Sequence, residues 1–128
     1  QSGVDVRIIT PHIPDKKIVF ELTRAHYQIL LESGVRIFEY TPGFIHAKNF
    51  VVDDRYATVG TVNMDYRSLY LHFECGVWMC DTPAIADMKA EYLSELERSA
   101  PITEELCLQQ RRGRRLIRAV LRTLAPLF

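Results

Sequence analysis

An α/β fold is what this sequence predicts: a mixed β-sheet of about five or six strands, flanked by helices on both faces. Three observations predict it. Strand, helix and strand patterns follow one another within the first 40 residues, short alternating runs separated by turn residues come next, and two helix-period segments close the chain. The composition agrees. A chain of 128 residues, 48% hydrophobic and 25% charged, makes one globular domain (residues 1–128) able to bury roughly two thirds of its unfolded surface. Disordered and fibrous classes are excluded.

Val4-Asp5-Val6-Arg7-Ile8-Ile9 alternates and is β-branched, and Thr10 to Asp15 breaks the pattern with Pro11 and Pro14, so a strand runs into a loop. From Lys16 to Leu31 the residues Ile18, Val19, Leu22, Ala25, Ile29 and Leu30 recur at helical spacing, and Ser33-Gly34 supplies the C-cap. Val35 to Tyr40 is a second strand reached by a short loop, which makes a parallel βαβ unit. Past Thr41-Pro42-Gly43, Ala47 to Val52 alternates, and Asp53-Asp54-Arg55 turns the chain back into Tyr56 to Gly60 as an antiparallel neighbour. Phe73 to Cys80 is a further strand. Thr82-Pro83 then sets a cap and a first-turn proline before a helix from Ala84 to about Glu97. The last helix is expected from Thr103 to Leu124, with glutamates in its first turn and arginines later, as the helix dipole prefers.

Sixteen basic and sixteen acidic residues cancel. That argues against a surface built as a whole for nucleic acid, and no nucleic-acid partner is expected. The sum hides an asymmetry: residues 1–100 carry 10 basic and 14 acidic side chains, or −4, and residues 101–128 carry 6 and 2, or +4. Cys75, Cys80 and Cys107 are an odd number without zinc-ligand spacing, so neither a disulfide framework nor a metal site is expected, and a reducing compartment fits. No run approaches the roughly 18 apolar residues of a membrane span, and there is no signal-peptide pattern. A start at Gln1 with a strand pattern opening at Val4 is expected of a piece of a longer protein.

The chemistry-bearing segment is Ile45 to Asp53, followed by Gly60-Thr61-Val62-Asn63, Asp65, Arg67-Ser68 and Phe73-Glu74. His46 and Lys48 are two residues apart, so on a strand they face the same way. Two groups that are cationic together need an anion between them, and phosphate is the natural guest. Thr61 and Asn63 repeat the spacing with a hydroxyl and an amide that can hydrogen-bond the same anion. Asp53 and Glu74 are the carboxylates available to orient an imidazole or balance the lysine. A lone histidine on an apolar strand is usually a satisfied core residue; it is the correlated spacing of His46, Lys48, Asp53, Asn63 and Glu74 that makes a site. Asp54 reads as a turn residue, Arg67-Ser68 as structural before lipid-binding, and His12, His26 and His72 have no role assigned.

His46-x-Lys48-x4-Asp53 with Gly60-Thr61-x-Asn63 after it resembles the HKD motif of the phospholipase D superfamily. Gly34-Val35-Arg36-Ile37-x-Glu39-Tyr40, Pro42 to Lys48, Asn63-x-Asp65-x-Arg67-Ser68, Phe73-Glu74 and Leu124-Ala125-Pro126-Leu127-Phe128 extend the resemblance to the C-terminal half of bacterial cardiolipin synthases, over the whole chain. His72 departs from the family's asparagine before Phe-Glu.

The resemblance implies an enzyme that transfers a phosphatidyl group from one phosphatidylglycerol to another, releasing glycerol, through a phosphohistidine intermediate and with no metal or cofactor. Two HKD motifs build one such site. His46 is then general acid and base while the other motif's histidine attacks phosphorus; Lys48 and Asn63 bind phosphoryl oxygens with help from the Thr61 hydroxyl; Glu74 orients the imidazole; and Asp53 is a structural partner at the base. The implied partners are phosphatidylglycerol and either an N-terminal HKD half of the same protein or a second copy of this domain. The implied location of the full-length protein is the cytoplasmic face of the bacterial inner membrane, and the isolated chain is expected to be soluble and inactive. The alternatives are another phosphodiesterase of the superfamily, a phospholipase or a nuclease, and a noncatalytic domain binding anionic lipid. In the tail, Arg111, Arg112, Arg114, Arg115, Arg118 and Arg122 interleave with Leu116, Ile117, Val120, Leu121 and Leu124. This pattern suits a core-packing helix with a solvated arginine face, a helix on an anionic membrane surface, or both.

Overall fold

The structure, a computed structural model, describes residues 3–109 and 112–123, apart from the side chains of residues 112 and 114–116. The element order is β1 (Arg7–Pro11), α1 (Lys17–Glu32), β2 (Arg36–Tyr40), β3 (Asn49–Val52), β4 (Tyr56–Gly60), a π-helical turn (Arg67–Leu71), β5 (Gly76–Cys80), α2 (Ala84–Glu97), β6 (Ser99–Ile102), α3 (Glu104–Leu108) and α4 (Arg112–Thr123). This is the α/β class expected. The βαβ unit is present, with β1 and β2 parallel and Ile8 opposite Ile37. Helix α1 ends where Ser33-Gly34 predicts: Gly34 takes φ 87, and the amides of Ser33, Gly34 and Val35 return to carbonyls of the last turn.

Strand β2 alternates. Ile37 and Glu39 are buried on the face that meets α1, where Tyr27, Ile37 and Cys107 form a core with Leu30, Leu31, Val35 and Ile102 packed around it. Phe38 and Tyr40 face the other way, and there the Arg98 guanidinium at the end of α2 lies 6.0 Å from the Tyr40 ring. Helices therefore cover both faces of β2, and α2 also reaches β3.

Three features differ from expectation. The strands divide into two three-stranded sheets, β1-β2-β6 and β3-β4-β5, instead of one. The second edge of β2 is taken by β6, antiparallel with Ile37 opposite Ile102, so the β3–β4 hairpin builds its own meander with β5. Strand β6 carries no strand signal because it is four residues long and contains Pro101; a residue without an N–H is tolerated on an edge strand. Finally, the closing helix is two helices. Thr103 caps α3 through its hydroxyl, which accepts from the Leu106 amide, but α3 stops at Leu108, while residues 110, 111 and 124–128 lie outside the described residues.

Candidate active site

The register of the meander decides which residues meet. Asn49 pairs with Val59, and Gly60 pairs with Gly76. Continued by one residue, the first ladder sets Lys48 beside Gly60, and the second sets Thr61 beside Cys75. The segments that carry His46 and Lys48, Thr61 and Asn63, and Glu74 therefore leave the same end of the sheet. Strand β3 begins at Asn49, so His46 and Lys48 lie just before it and not on it. The exposed His46 imidazole stacks on Phe44 with ring centroids 5.8 Å apart. Lys48 Nζ donates to the His46 carbonyl at 2.8 Å. The half-buried Asn63 amide makes no hydrogen bond to another described residue.

Glu74 is the hub of this end. Its Oε2 accepts the Thr61 hydroxyl, and hydrogen bonds from Thr61 and then Ser68 hold its carboxyl below the usual range. The Cys75 amide donates to Thr61 Oγ1 at 3.1 Å, which closes the end of the β4–β5 ladder. The Ser68 side chain is positioned by the π-helical turn, in which the His72 amide donates to the Arg67 carbonyl at 2.7 Å, while the Ser68 amide donates to Asp65 Oδ1 at 2.7 Å. The imidazole nearest Glu74 is that of His72, with Nδ1 3.9 Å from Oε1. No hydrogen bond joins Glu74 to His46 among the described residues, in place of the orientation expected. His72 is fixed from its other side by the Arg67 guanidinium, 3.2 Å from Nε2, so the residue departing from the family's asparagine has partners that the sequence did not disclose.

Asp53 stands apart. It sits at the opposite end of β3, on the hairpin turn, with φ 51 followed by φ 57 at Asp54. Five residue steps of extended chain, a rise of roughly 17 Å, separate it from Lys48. The structure gives Asp53 a turn role, away from the catalytic set in which it was grouped. Asp54, read as a turn residue only, also forms an ion pair with Lys89 of α2.

A second polar cluster was not anticipated. Glu39, 2% exposed, receives Arg24 through two hydrogen bonds of 2.8 and 2.6 Å, the Tyr27 hydroxyl at 3.1 Å and His12 Nδ1 at 2.8 Å. The sequence did hold a signal: Glu39 falls two residues from Ile37 on the inward register of a buried strand, and a carboxylate there needs a cation.

A family model described as cardiolipin synthase, phospholipase D-like domain, matches residues 1–96. A protein of Streptococcus mutans described as uncharacterized is 46% identical over 100% of this chain and 28% of its own length. Proteins called cardiolipin synthase from Geobacillus sp. and Alkalihalophilus pseudofirmus are 43% and 41% identical over 99% of this chain and 25% of their own length. The chain thus spans about a quarter of the length of these relatives. Three quarters of the chain matched by one family model, together with this identity along its whole length, makes it a member of the cardiolipin synthase phospholipase D-like domain family.

Proposed function

We propose that this chain is the C-terminal catalytic half of a bacterial cardiolipin synthase that moves a phosphatidyl group between phosphatidylglycerol molecules. The observation that carries the reading is the convergence of His46, Lys48, Thr61, Asn63 and Glu74 on one end of the β3-β4-β5 meander. A histidine of a second HKD motif, on another part of the protein or on a second copy, attacks phosphorus. His46 protonates the departing glycerol oxygen. It then takes the proton of the incoming hydroxyl as that oxygen attacks phosphorus and the N–P bond breaks. Lys48 Nζ swings from the His46 carbonyl to a phosphoryl oxygen, and Asn63 donates to another; each well-placed donor contributes about 3 kcal/mol to the transition state. Glu74, held ionised by Thr61 and Ser68, sets the field behind the imidazoles. The complete protein works at the cytoplasmic face of the inner membrane; no helix among the described residues is long and apolar enough to cross it.

His46→Ala in the complete protein tests this. Cardiolipin formation from phosphatidylglycerol in detergent micelles is expected to fall at least about a thousandfold, with phosphatidylglycerol still bound, and the 128-residue chain alone is expected to make none. Unchanged synthesis by the alanine variant overturns the role of His46. Release of phosphatidic acid without cardiolipin by the unmodified protein points to a phospholipase instead.

A further inference from the structure

The Glu39 cluster presents a histidine that the chemistry above does not use. The two oxygens of Glu39 are already bonded by Arg24 and Tyr27, and its charge is balanced by the guanidinium. His12 is therefore not needed to satisfy the carboxylate; the carboxylate fixes His12. An ionised carboxylate only accepts, so Nδ1 carries the hydrogen, and in the neutral ring Nε2 keeps its lone pair. The His12 side chain is 51% exposed, against 3% for Glu39. His12 directly follows β1, and its amide donates to the Tyr40 carbonyl at 3.3 Å, at the carboxyl end of the parallel β1–β2 pair. That end is where open α/β sheets take their ligands. The segment Thr41–Ile45 leaves β2 from the same end and leads directly to His46.

We propose that His12 is an acceptor-binding residue: its Nε2 accepts a hydrogen bond from a non-reacting hydroxyl of the alcohol that receives the phosphatidyl group, and so selects polyols. A fixed-tautomer nitrogen with an outward lone pair recognises a donor, and a second hydroxyl is what separates a glycerol headgroup from a simple alcohol. His12 takes no proton in the transfer. The inference rests on the phosphatidyl-transfer reading above.

The experiment offers the complete protein phosphatidylglycerol in detergent micelles with labelled glycerol and 1-propanol together, and measures both alcohol products and phosphatidic acid. His12→Ala is expected to lower the ratio of glycerol to 1-propanol transfer about tenfold, with phosphatidic acid release changed less than about twofold. His12→Gln, whose amide oxygen can accept the same hydrogen bond, is expected to recover most of the ratio. A ratio unchanged in His12→Ala, a parallel loss of all three products, or a glutamine variant no better than alanine overturns the proposal. If the unmodified protein transfers to neither alcohol, the transfer reading itself has failed, which is a different result from an unmodified protein that transfers and a variant that keeps its selectivity.

Discussion

Glu39 shows what burial demands of a single residue. Desolvation pushes its carboxyl up, but the hydrogen bonds from Arg24 and His12 outweigh that and hold it below its ordinary 4.5. Its contribution to stability is therefore complete above pH 4.5 and is lost as pH falls through the lower value of the folded state. Glu39→Gln leaves Arg24 facing an uncharged amide and is expected to cost about 3 kcal/mol in urea unfolding at pH 7. Between about pH 5 and pH 3 the wild type is expected to lose more of its urea midpoint than the variant, because the variant lacks this titration. Equal losses would remove Glu39 as a source of acid sensitivity. At the same scale the candidate site was legible in part. His46, Lys48, Thr61 and Asn63 stand out by spacing, and the meander brings their segments together. The partners of Glu74 were not legible, since Ser68 is placed by a π-helical turn with no sequence signature and the His72 ring is held from its other side by Arg67.

Among the elements, β4 and β5 hold the site by their closest approach. Gly60 faces Gly76, and a Cβ on Gly60 would come within 2.5 Å of the Cys75 carbonyl oxygen and 2.7 Å of the Gly76 Cα. Both are backbone atoms of the strand next to Thr61 and Glu74, and they yield only if the ladder opens. Gly60→Ala is expected to lower thermal stability by more than 2 kcal/mol, the order of an overpacked core, and to reduce transfer with it, whereas Gly113→Ala, with nothing within 4 Å of its Cβ, is expected to be neutral or slightly stabilising. A Gly60→Ala variant of wild-type melting temperature would show that the strands separate freely. Helices α1 and α2 and five of the six strands follow from local pattern. Strand β6 does not, because an edge strand with a proline is made by the neighbour it pairs with.

For the whole molecule the balance of charge matters more than its sum. Arg118, counted with the basic face, is buried at 7% exposure with Nε 2.8 Å from Glu21 of α1, so it anchors α4 to the body. Arg122 remains exposed. If the rest of the basic segment meets anionic lipid, each arginine near the surface contributes about 1 kcal/mol. Reversing Arg111, Arg112, Arg114 and Arg115 to glutamate is expected to weaken co-sedimentation of the chain with phosphatidylglycerol-rich vesicles more than tenfold and to leave the fold intact, since Arg118 is kept. Unchanged co-sedimentation would leave α4 with a packing role alone.

The sequence by itself determined the α/β class, the βαβ unit, the β3–β4 hairpin with its aspartate turn, and the spacing of His46, Lys48, Thr61 and Asn63. Those features depend on neighbours along the chain, through the periods of helix and strand and the backbone freedom of turn residues. Tertiary structure alone decided that the strands form two sheets, that Glu74 meets Thr61, and that Glu39 gathers Arg24, Tyr27 and His12. Each of these joins residues far apart in the chain or turns on strand register, and the choice among possible partners is made by burial and charge balance across the fold, which no local pattern encodes.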